Sequence, residues 1–174
     1  MMTALLIVHG LLAILLLGAV THQAASVLWP LRNAGPDRSF IARFRAVSGG
    51  HYTTAVIVLF LVTFAIGSVI YPAYRLNVRT YLQDYRMFPA EGAFEIKEHF
   101  AAIALMLLPL YWYLWTRTPG RAAGAAVTEA RGGVDSERAF AVSRAAVTAM
   151  ICLAAWTSFF VGHILNNIRG LFGT

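Results

Sequence analysis

The stretch that decides the fold is residues 52–71, YTTAVIVLFLVTFAIGSVIY, which contains no charged side chain. A transmembrane α-helix needs about 20 consecutive, mostly apolar residues to cross the hydrocarbon core of a bilayer. Three further stretches of this kind lie at residues 3–29, 99–115 and 140–165. Because these apolar runs are continuous and do not alternate with polar residues, we predict an all-α integral membrane protein with a four-helix bundle, and not a β-barrel.

The composition of the whole chain agrees with a membrane protein. Of its 174 residues, 59% are hydrophobic and 13% are charged, whereas soluble domains carry about 25% charged residues. The net charge of +6 would otherwise suggest nucleic-acid binding. The basic residues lie between the apolar runs, however, so we interpret them as charges that orient the chain in a membrane. We therefore predict contact with a lipid bilayer and with other membrane subunits, and no nucleic-acid partner.

The distribution of the basic residues predicts the orientation of the bundle. Nine arginines lie in the two connectors that follow the first and third spans or in the first turns of the fourth span, and the opposite side holds five basic residues. Basic residues are enriched on the cytoplasmic side of membrane proteins. We therefore predict that both termini lie on the outer side, which is the periplasm for a protein of the bacterial inner membrane, the localisation that we expect.

The connectors themselves differ in composition. Residues 117–138 are rich in alanine, glycine and arginine, which is typical of a flexible loop, here on the cytoplasmic side. Residues 73–98 are rich in aromatic and charged side chains, which predicts an ordered segment on the outer face, such as a short interfacial helix. We expect Pro72 to end the second span and Pro109 to kink the third, because proline removes a backbone hydrogen bond.

All five histidines fall within the spans or at their ends: His9, His22, His51, His99 and His163. Ionisable side chains at membrane depth are costly and are functional candidates by default. Neutral imidazole is a good ligand of haem iron, and histidines on different helices of a bundle can hold a haem. The predicted orientation places His22 and His51 toward the cytoplasm. We therefore predict one haem pair formed by His22 and His51, and a second pair drawn from the other three.

The spacing along the first span bears on the number of haems. His9 and His22 are separated by about 20 Å along a helix, which suits two haems stacked across a bilayer, but their side chains point about 140° apart. They would thus face different neighbours. Arg75 and Arg79 are candidates for binding haem propionates, since guanidinium groups pair well with carboxylates. Their alternative roles are pairing with carboxylates of the same connector and contact with lipid headgroups.

The outer side also offers an alternative metal site. Glu95 and His99 lie one helical turn apart, and together with His163 they would supply the mixed carboxylate and imidazole ligands that suit zinc, iron or copper. Structural roles are the alternative reading of the same residues: His51 can cap the start of its helix, and His99 can pair with Glu95. A quinone site would need an apolar cleft with hydrogen-bond donors, and such donors occur at both interfaces.

Four spans with histidines at these positions resemble a small membrane cytochrome b in architecture and histidine placement. The resemblance implies an electron-transfer subunit that binds one or two haem b groups, belongs to an oxidoreductase complex and exchanges electrons with quinone or a partner subunit. Two other functions stay open. The chain can be a non-catalytic structural or assembly subunit of a larger membrane complex, or a metal-handling membrane protein that uses the outer site.

Overall fold

A computed structural model of the chain describes residues 2–29, 49–117 and 132–172. The α-helices of this part of the chain are α1 (Met2–Leu28), α2 (Thr53–Tyr74), α3 (Thr80–Asp84), α4 (Phe88–Thr116) and α5 (Gly132–Phe172). A 3₁₀ turn, Gly49–Tyr52, leads into α2, and a π-helical segment, Arg75–Arg79, joins α2 to α3.

Four helical stretches are long and apolar enough to cross a membrane: Met2–Leu28, Gly49–Asp84, Phe88–Thr116 and Ser136–Asn167. This confirms the predicted all-helical fold with four membrane-compatible helices. At most 28% of each apolar stretch is buried inside the bundle. The apolar surface that remains outside is therefore compatible with contact to a lipid bilayer.

The four long helices form a ring in which each is antiparallel to its neighbours. Helix α1 packs between α2 and α5, and α4 closes the ring between the same two helices. We name the two ends of the bundle after residues that lie there. The Gly49 end is the one at which α2 starts and α4 finishes, and the Arg79 end is the opposite one. The seam between α4 and α5 is the most extensive of the four, whereas that between α2 and α4 is the least extensive.

The interior of the ring is filled by side chains from every long helix. Val20, Val56, Tyr111 and Ile151, one from each, are completely buried and belong to one hydrophobic core. Protein interiors of this kind are close-packed and leave little space between side chains. A second, smaller core lies at the Arg79 end and consists of four residues: Val78, Leu82, Phe94 and Leu165.

The prediction that Pro72 ends the second span is wrong. The helix runs through Pro72 and continues in helical form as far as Asp84. Proline lacks the N–H that an interior helical position donates, and the π-helical segment that follows is a common local adjustment of helix geometry. The continuation is stabilised by burial of Val78 and Leu82 in the second core.

The other helix boundaries also extend beyond the predicted spans. Helix α4 begins at Phe88 and not at residue 99, so the ordered outer segment that we predicted prolongs α2 and α4 instead of forming a separate interfacial helix. Helix α5 begins at Gly132, inside the stretch that we predicted as the flexible loop 117–138. The remainder of that loop, residues 118–131, lies outside the described residues.

A tight turn connects α3 to α4. Arg86 has a positive φ of 55°, its N–H donates to the carbonyl of Gln83, and the N–H of Met87 donates to the carbonyl of Leu82. This pair of hydrogen bonds is the Schellman arrangement that ends many helices, with Arg86 at the position where glycine is most common. The turn sends α4 back along α3, and we call residues 75–98 the extended hairpin.

Candidate functional site

The two histidines of the predicted inner pair both lie at the Gly49 end. His22 is only 5% exposed, and its ring lies against that of Tyr52, with 4.8 Å between the ring centroids. His51 precedes Tyr52 in the 3₁₀ turn and is exposed. The structure thus brings both residues to the same end of the bundle, one inside it and one on its surface.

His9 lies between α1 and α2 in the other half of the bundle. Its Cε1 atom is 3.1 Å from the position that a Cβ atom would occupy on Gly67. The Nδ1 atom of His9 is buried and has no hydrogen-bond partner among the described residues. The imidazole therefore fills a notch that the absence of a side chain at Gly67 creates in α2.

His99 and His163 lie on the surface of the bundle, on α4 and α5. Each is in contact with its own helix: Nδ1 of His99 is 2.7 Å from the backbone oxygen of Glu95, and the ring of His163 stacks on that of Phe159. Both side chains are exposed. The three histidines from which we expected a second haem pair therefore have three different environments.

The residues of the alternative metal site do not come together as a ligand group. Among the described residues, no three histidine, cysteine, aspartate or glutamate side chains are arranged to hold a metal ion. The carboxylate of Glu95 instead accepts a hydrogen bond of 3.0 Å from Nη2 of Arg79. The expected pairing of His99 with Glu95 involves the backbone of Glu95 and not its side chain.

The predicted propionate ligands lie in the extended hairpin. The guanidinium group of Arg79 bridges two carboxylates of α4, with Nε 3.0 Å from Oε1 of Glu91 and Nη2 3.0 Å from Oε1 of Glu95. Arg75 is exposed. Arg79 thus has the alternative role that the sequence offered, pairing with carboxylates of its own connector, and it ties the two arms of the hairpin together.

The sequence analysis missed a buried polar cluster beside His22. Gln23 is completely buried, and its Nε2 atom donates to the carbonyl of Gly49 at 2.9 Å and to Oγ1 of Thr53 at 3.2 Å. The Tyr111 hydroxyl donates to Oε1 of the same side chain. We call these four residues the Gln23 clamp. It joins α1, α2 and α4, and a glutamine inside an apolar run was the signal that could have revealed it.

Further polar contacts connect α5 to the bundle. The indole N–H of Trp115 donates to Oγ1 of Thr148 at 3.0 Å, and the guanidinium group of Arg144 lies over the Trp115 ring. About two turns farther along α5, the indole N–H of Trp156 donates to Oγ1 of Thr21 on α1 at 2.9 Å. Such interhelical hydrogen bonds fix the relative positions of packed helices.

The packing of the interior and the exposure of the histidines determine whether a haem fits inside the bundle. A haem between the helices needs a flat slot, but the interior is filled by completely buried side chains, among them Gln23 and Tyr111. Two of the predicted ligands, His99 and His163, are exposed on the outer surface. The residues present therefore do not fit a haem held in the interior of the four-helix ring.

A second candidate site is the surface of the extended hairpin. The stretch Gly49–Asp84 has 36 residues, about 54 Å of helix at 1.5 Å per residue, whereas the hydrocarbon core of a bilayer is about 30 Å thick. The charged residues of this stretch lie in its last part, at the Arg79 end. Large apolar side chains are nevertheless exposed there: Leu76, Tyr85, Phe88 and Ile96.

Comparison with known proteins adds no functional assignment, because no family model, curated protein or solved structure matches the chain. The resemblance to a small membrane cytochrome b therefore stays an expectation from the sequence.

Proposed function

We propose that the chain is an integral protein of a bacterial inner membrane and serves as a non-catalytic structural or assembly subunit of a larger membrane complex. The observation that carries this proposal is the extended hairpin, a braced helical structure with exposed apolar side chains. Leu76 is 75% exposed and Phe88 is 63% exposed, close to the charged residues of the same hairpin. Large apolar side chains that are exposed among polar ones are typical of protein–protein contacts.

The length of the helices supports a location of the hairpin outside the hydrocarbon. Once about 20 apolar residues of Gly49–Asp84 occupy the bilayer, the segment from Arg75 onward extends beyond it. Apolar side chains in contact with water cost free energy, and full burial of a leucine or phenylalanine stabilises by about 1.5–3 kcal/mol. A partner subunit that covers Leu76 and Phe88 would gain this free energy.

The arrangement inside the hairpin suits such a contact surface. Arg79 bridges Glu91 and Glu95, and at the base of the hairpin the rings of Tyr71 and Tyr74 on α2 stack on Phe94. These contacts hold the two arms in one geometry before a partner binds. A preorganised surface loses less conformational entropy on association than a mobile one.

The test is a pair of charge substitutions on the hairpin. The double variant Leu76→Glu/Phe88→Glu should release the chain from its complex, measured as a shift to smaller native mass in mild detergent extracts. Both side chains are exposed, so thermal unfolding of the purified chain should change little. The control is Thr80→Glu, which adds charge at an exposed polar position of the same hairpin.

The control variant should keep the native mass of the wild type. A double variant with unchanged native mass, or a wild-type chain that leaves the membrane as a monomer, would contradict the proposed role of the hairpin.

A second candidate function is electron transfer to quinone or a partner redox subunit by a haem b that is held at the Gly49 end of the bundle and not in its interior. The observation that favours it is the common location of His22 and His51 at the Gly49 end, beside Tyr52. Haem would supply the redox chemistry when bound. The metal-handling alternative has no three-residue ligand group in its favour within the described ranges.

A reduced-minus-oxidised absorption spectrum of the purified chain tests the haem candidate. Haem bound through these residues gives a sharp α band that is lost in His22→Ala and in His51→Ala, whereas His163→Ala on the opposite end serves as the control. A colourless preparation, or full haem content in both variants, would rule the candidate out.

A further inference from the structure

Three buried polar atoms between the middle of the bundle and the Arg79 end have no hydrogen-bond partner among the described residues. They are Nδ1 of His9 on α1 and two hydroxyl oxygens on α2, those of Thr63 and Tyr74. Polar groups inside a protein are almost always hydrogen-bonded, either to other protein groups or to ordered internal water. These three atoms therefore indicate a region of the bundle that water enters.

The two hydroxyl groups belong to a row of residues along one face of α2. Four residues follow one another at spacings of four, four and three positions: Thr63, Gly67, Tyr71 and Tyr74. Residues three or four positions apart lie on the same side of a helix, and the row spans about 16 Å at 1.5 Å per residue. At Gly67 the imidazole of His9 lies against it. We call these five residues the polar row.

Ionisable side chains of α4 face the outer part of the polar row. The hydroxyl of Tyr71 donates to Oε2 of Glu98 at 3.5 Å, and Nζ of Lys97 lies 5.8 Å from the ring centroid of Tyr74. The Lys97 ammonium also acts electrostatically on the His9 imidazole, and it makes no ion pair within the described ranges. Both charged side chains are only partly exposed. Charged groups in such positions of membrane proteins typically border water-filled cavities.

Toward the Gly49 end, the polar row stops at the hydrophobic core. Phe60 and Val56 continue the same face of α2 beyond Thr63. Phe60 is 6% exposed and Val56 is completely buried, and both belong to the core that fills the ring. Because a close-packed apolar core has no room for water, a path for water along the polar row enters from the Arg79 end and stops at Thr63.

We propose that the polar row lines a hydrated half-channel that opens at the Arg79 end, ends at His9 and Thr63, and takes water as its ligand. Water in contact with an imidazole exchanges protons with it, so the half-channel connects His9 with the aqueous phase beyond the Arg79 end. The row lies inside the bundle and includes neither Leu76 nor Phe88. The proposal therefore does not depend on the role of the extended hairpin in a complex.

The test is the access of silver ion to single cysteines in the full chain in membranes, after replacement of the sole native cysteine by Cys152→Ser. Silver ion binds thiolates, which form readily only where a thiol meets water, and its charge keeps it out of hydrocarbon. After exposure to silver, the chain is denatured, and the thiols that remain free are counted by the gel shift that a maleimide polymer produces.

Thr63→Cys and Val62→Cys are a matched pair of neighbours at the same depth. Thr63 is 9% exposed, whereas Val62 is 41% exposed on the apolar surface of the bundle. We expect Thr63→Cys to react at least about tenfold faster than Val62→Cys, because only the buried position meets water. Both substitutions nearly conserve side-chain volume, so the fold should persist.

A second pair on α1 and a deeper position on α2 define the extent of the half-channel. His9→Cys should react, whereas Val8→Cys, at a position that is 44% exposed on the apolar surface, should not. Val56→Cys should stay unreactive, since it lies beyond the inner end of the polar row. This pair also tests the proposal if Thr63→Cys fails to fold.

The side of entry is measured with silver added to membrane vesicles of either orientation. Two exposed positions mark the ends of the bundle: Thr80→Cys on the extended hairpin and Arg138→Cys on α5 near the Gly49 end. Thr63→Cys should react from the side on which Thr80→Cys reacts, and not from the side of Arg138→Cys.

Three outcomes would overturn the proposal. Thr63→Cys and His9→Cys that react no faster than their neighbours Val62→Cys and Val8→Cys would show that the polar row is dry. Rapid reaction of Val56→Cys would show that water crosses the core. Reaction of Thr63→Cys from the side of Arg138→Cys would place the opening at the Gly49 end.

Discussion

At the scale of single residues, the surroundings of each histidine matter more than its depth in the membrane. His22 is buried, His51 is exposed one helix away, and His9 is packed into the notch of Gly67. An imidazole can be a ligand, a packing element or a surface group, and its neighbours decide which. The notch at Gly67 is the clearest case, because the His9 imidazole stands 3.1 Å from where an added Cβ would lie and would have to give way to any side chain there.

We predict that Gly67→Ala destabilises the protein although alanine is the better helix former. In an open helix position this exchange gains about 1 kcal/mol. At Gly67 the added Cβ would stand 3.1 Å from Cε1 of His9, so the imidazole or the helix has to move. Thermal unfolding of the purified chain should show a lower midpoint for Gly67→Ala than for the wild type.

The control is Gly18→Ala, where an added Cβ meets nothing within 4 Å, so its midpoint should stay equal or rise. In a His9→Ala background, Gly67→Ala should lose its destabilising effect, with a coupling of about 0.5–3 kcal/mol between the two positions. Equal midpoints for Gly67→Ala and Gly18→Ala would contradict the close contact.

At the scale of helices, the Gln23 clamp holds three elements at the Gly49 end. One amide side chain accepts from Tyr111 on α4 and donates to Gly49 and Thr53 at the start of α2. Its three hydrogen bonds satisfy groups that would otherwise be buried without partners, and such unpaired groups are costly in an apolar interior. The clamp therefore fixes the register of α1 against α2 and α4. Packing of aliphatic side chains alone would specify this register less strictly.

We predict that Tyr111→Phe lowers the stability of the bundle by about 1–3 kcal/mol, because Oε1 of Gln23 loses its buried donor while the packed volume is nearly conserved. The measurement is the free energy of unfolding in a detergent series. The matched control is Tyr113→Phe, an exposed hydroxyl on the same helix, which should leave stability unchanged.

Removing the central residue provides a second check. Gln23→Leu should cost more than Tyr111→Phe, since it leaves the Gly49 carbonyl and the Thr53 and Tyr111 hydroxyls without their shared buried partner. Identical stabilities of Tyr111→Phe and Tyr113→Phe would contradict the role of the clamp.

At the scale of the whole molecule, the two ends of the bundle differ in kind. The Gly49 end is tied by polar contacts in its interior, whereas the Arg79 end projects as the extended hairpin with its own small core. The side with nine basic residues is the Gly49 side. The orientation that we propose from this charge bias places the hairpin and both termini outside.

We predict that a reporter fused near Pro89 is periplasmic and that one fused near Gly124, in the connector outside the described residues, is cytoplasmic. The physical reason is the excess of arginine in the connectors on the Gly49 side. Paired alkaline phosphatase and fluorescent-protein fusions at the two positions measure this directly. The reverse pattern would invert the orientation and would place the hairpin in the cytoplasm.

The helical class and the number of helices long and apolar enough to cross a membrane were predictable, because hydrophobicity is a local property that a run of about 20 residues reveals by itself. The helix ends were less predictable. Pro72 was expected to stop a helix that in fact continues to Asp84, since burial of Val78 and Leu82 against Phe94 outweighs the missing hydrogen bond. Burial of this kind depends on residues distant in the chain, which no local pattern contains.

The candidate sites, like the fold, were predictable from the sequence only in part. The amino-acid order by itself determined which histidines and arginines lie near each end, that four apolar helices form, and that basic residues concentrate on one side. Only the tertiary structure decided that Gln23 is a hub of hydrogen bonds, that Arg79 is engaged by two carboxylates, and that His99 and His163 are exposed. The reason is physical: chain order sets the composition of each helix, whereas the side that a helix buries is selected by the helices packed against it.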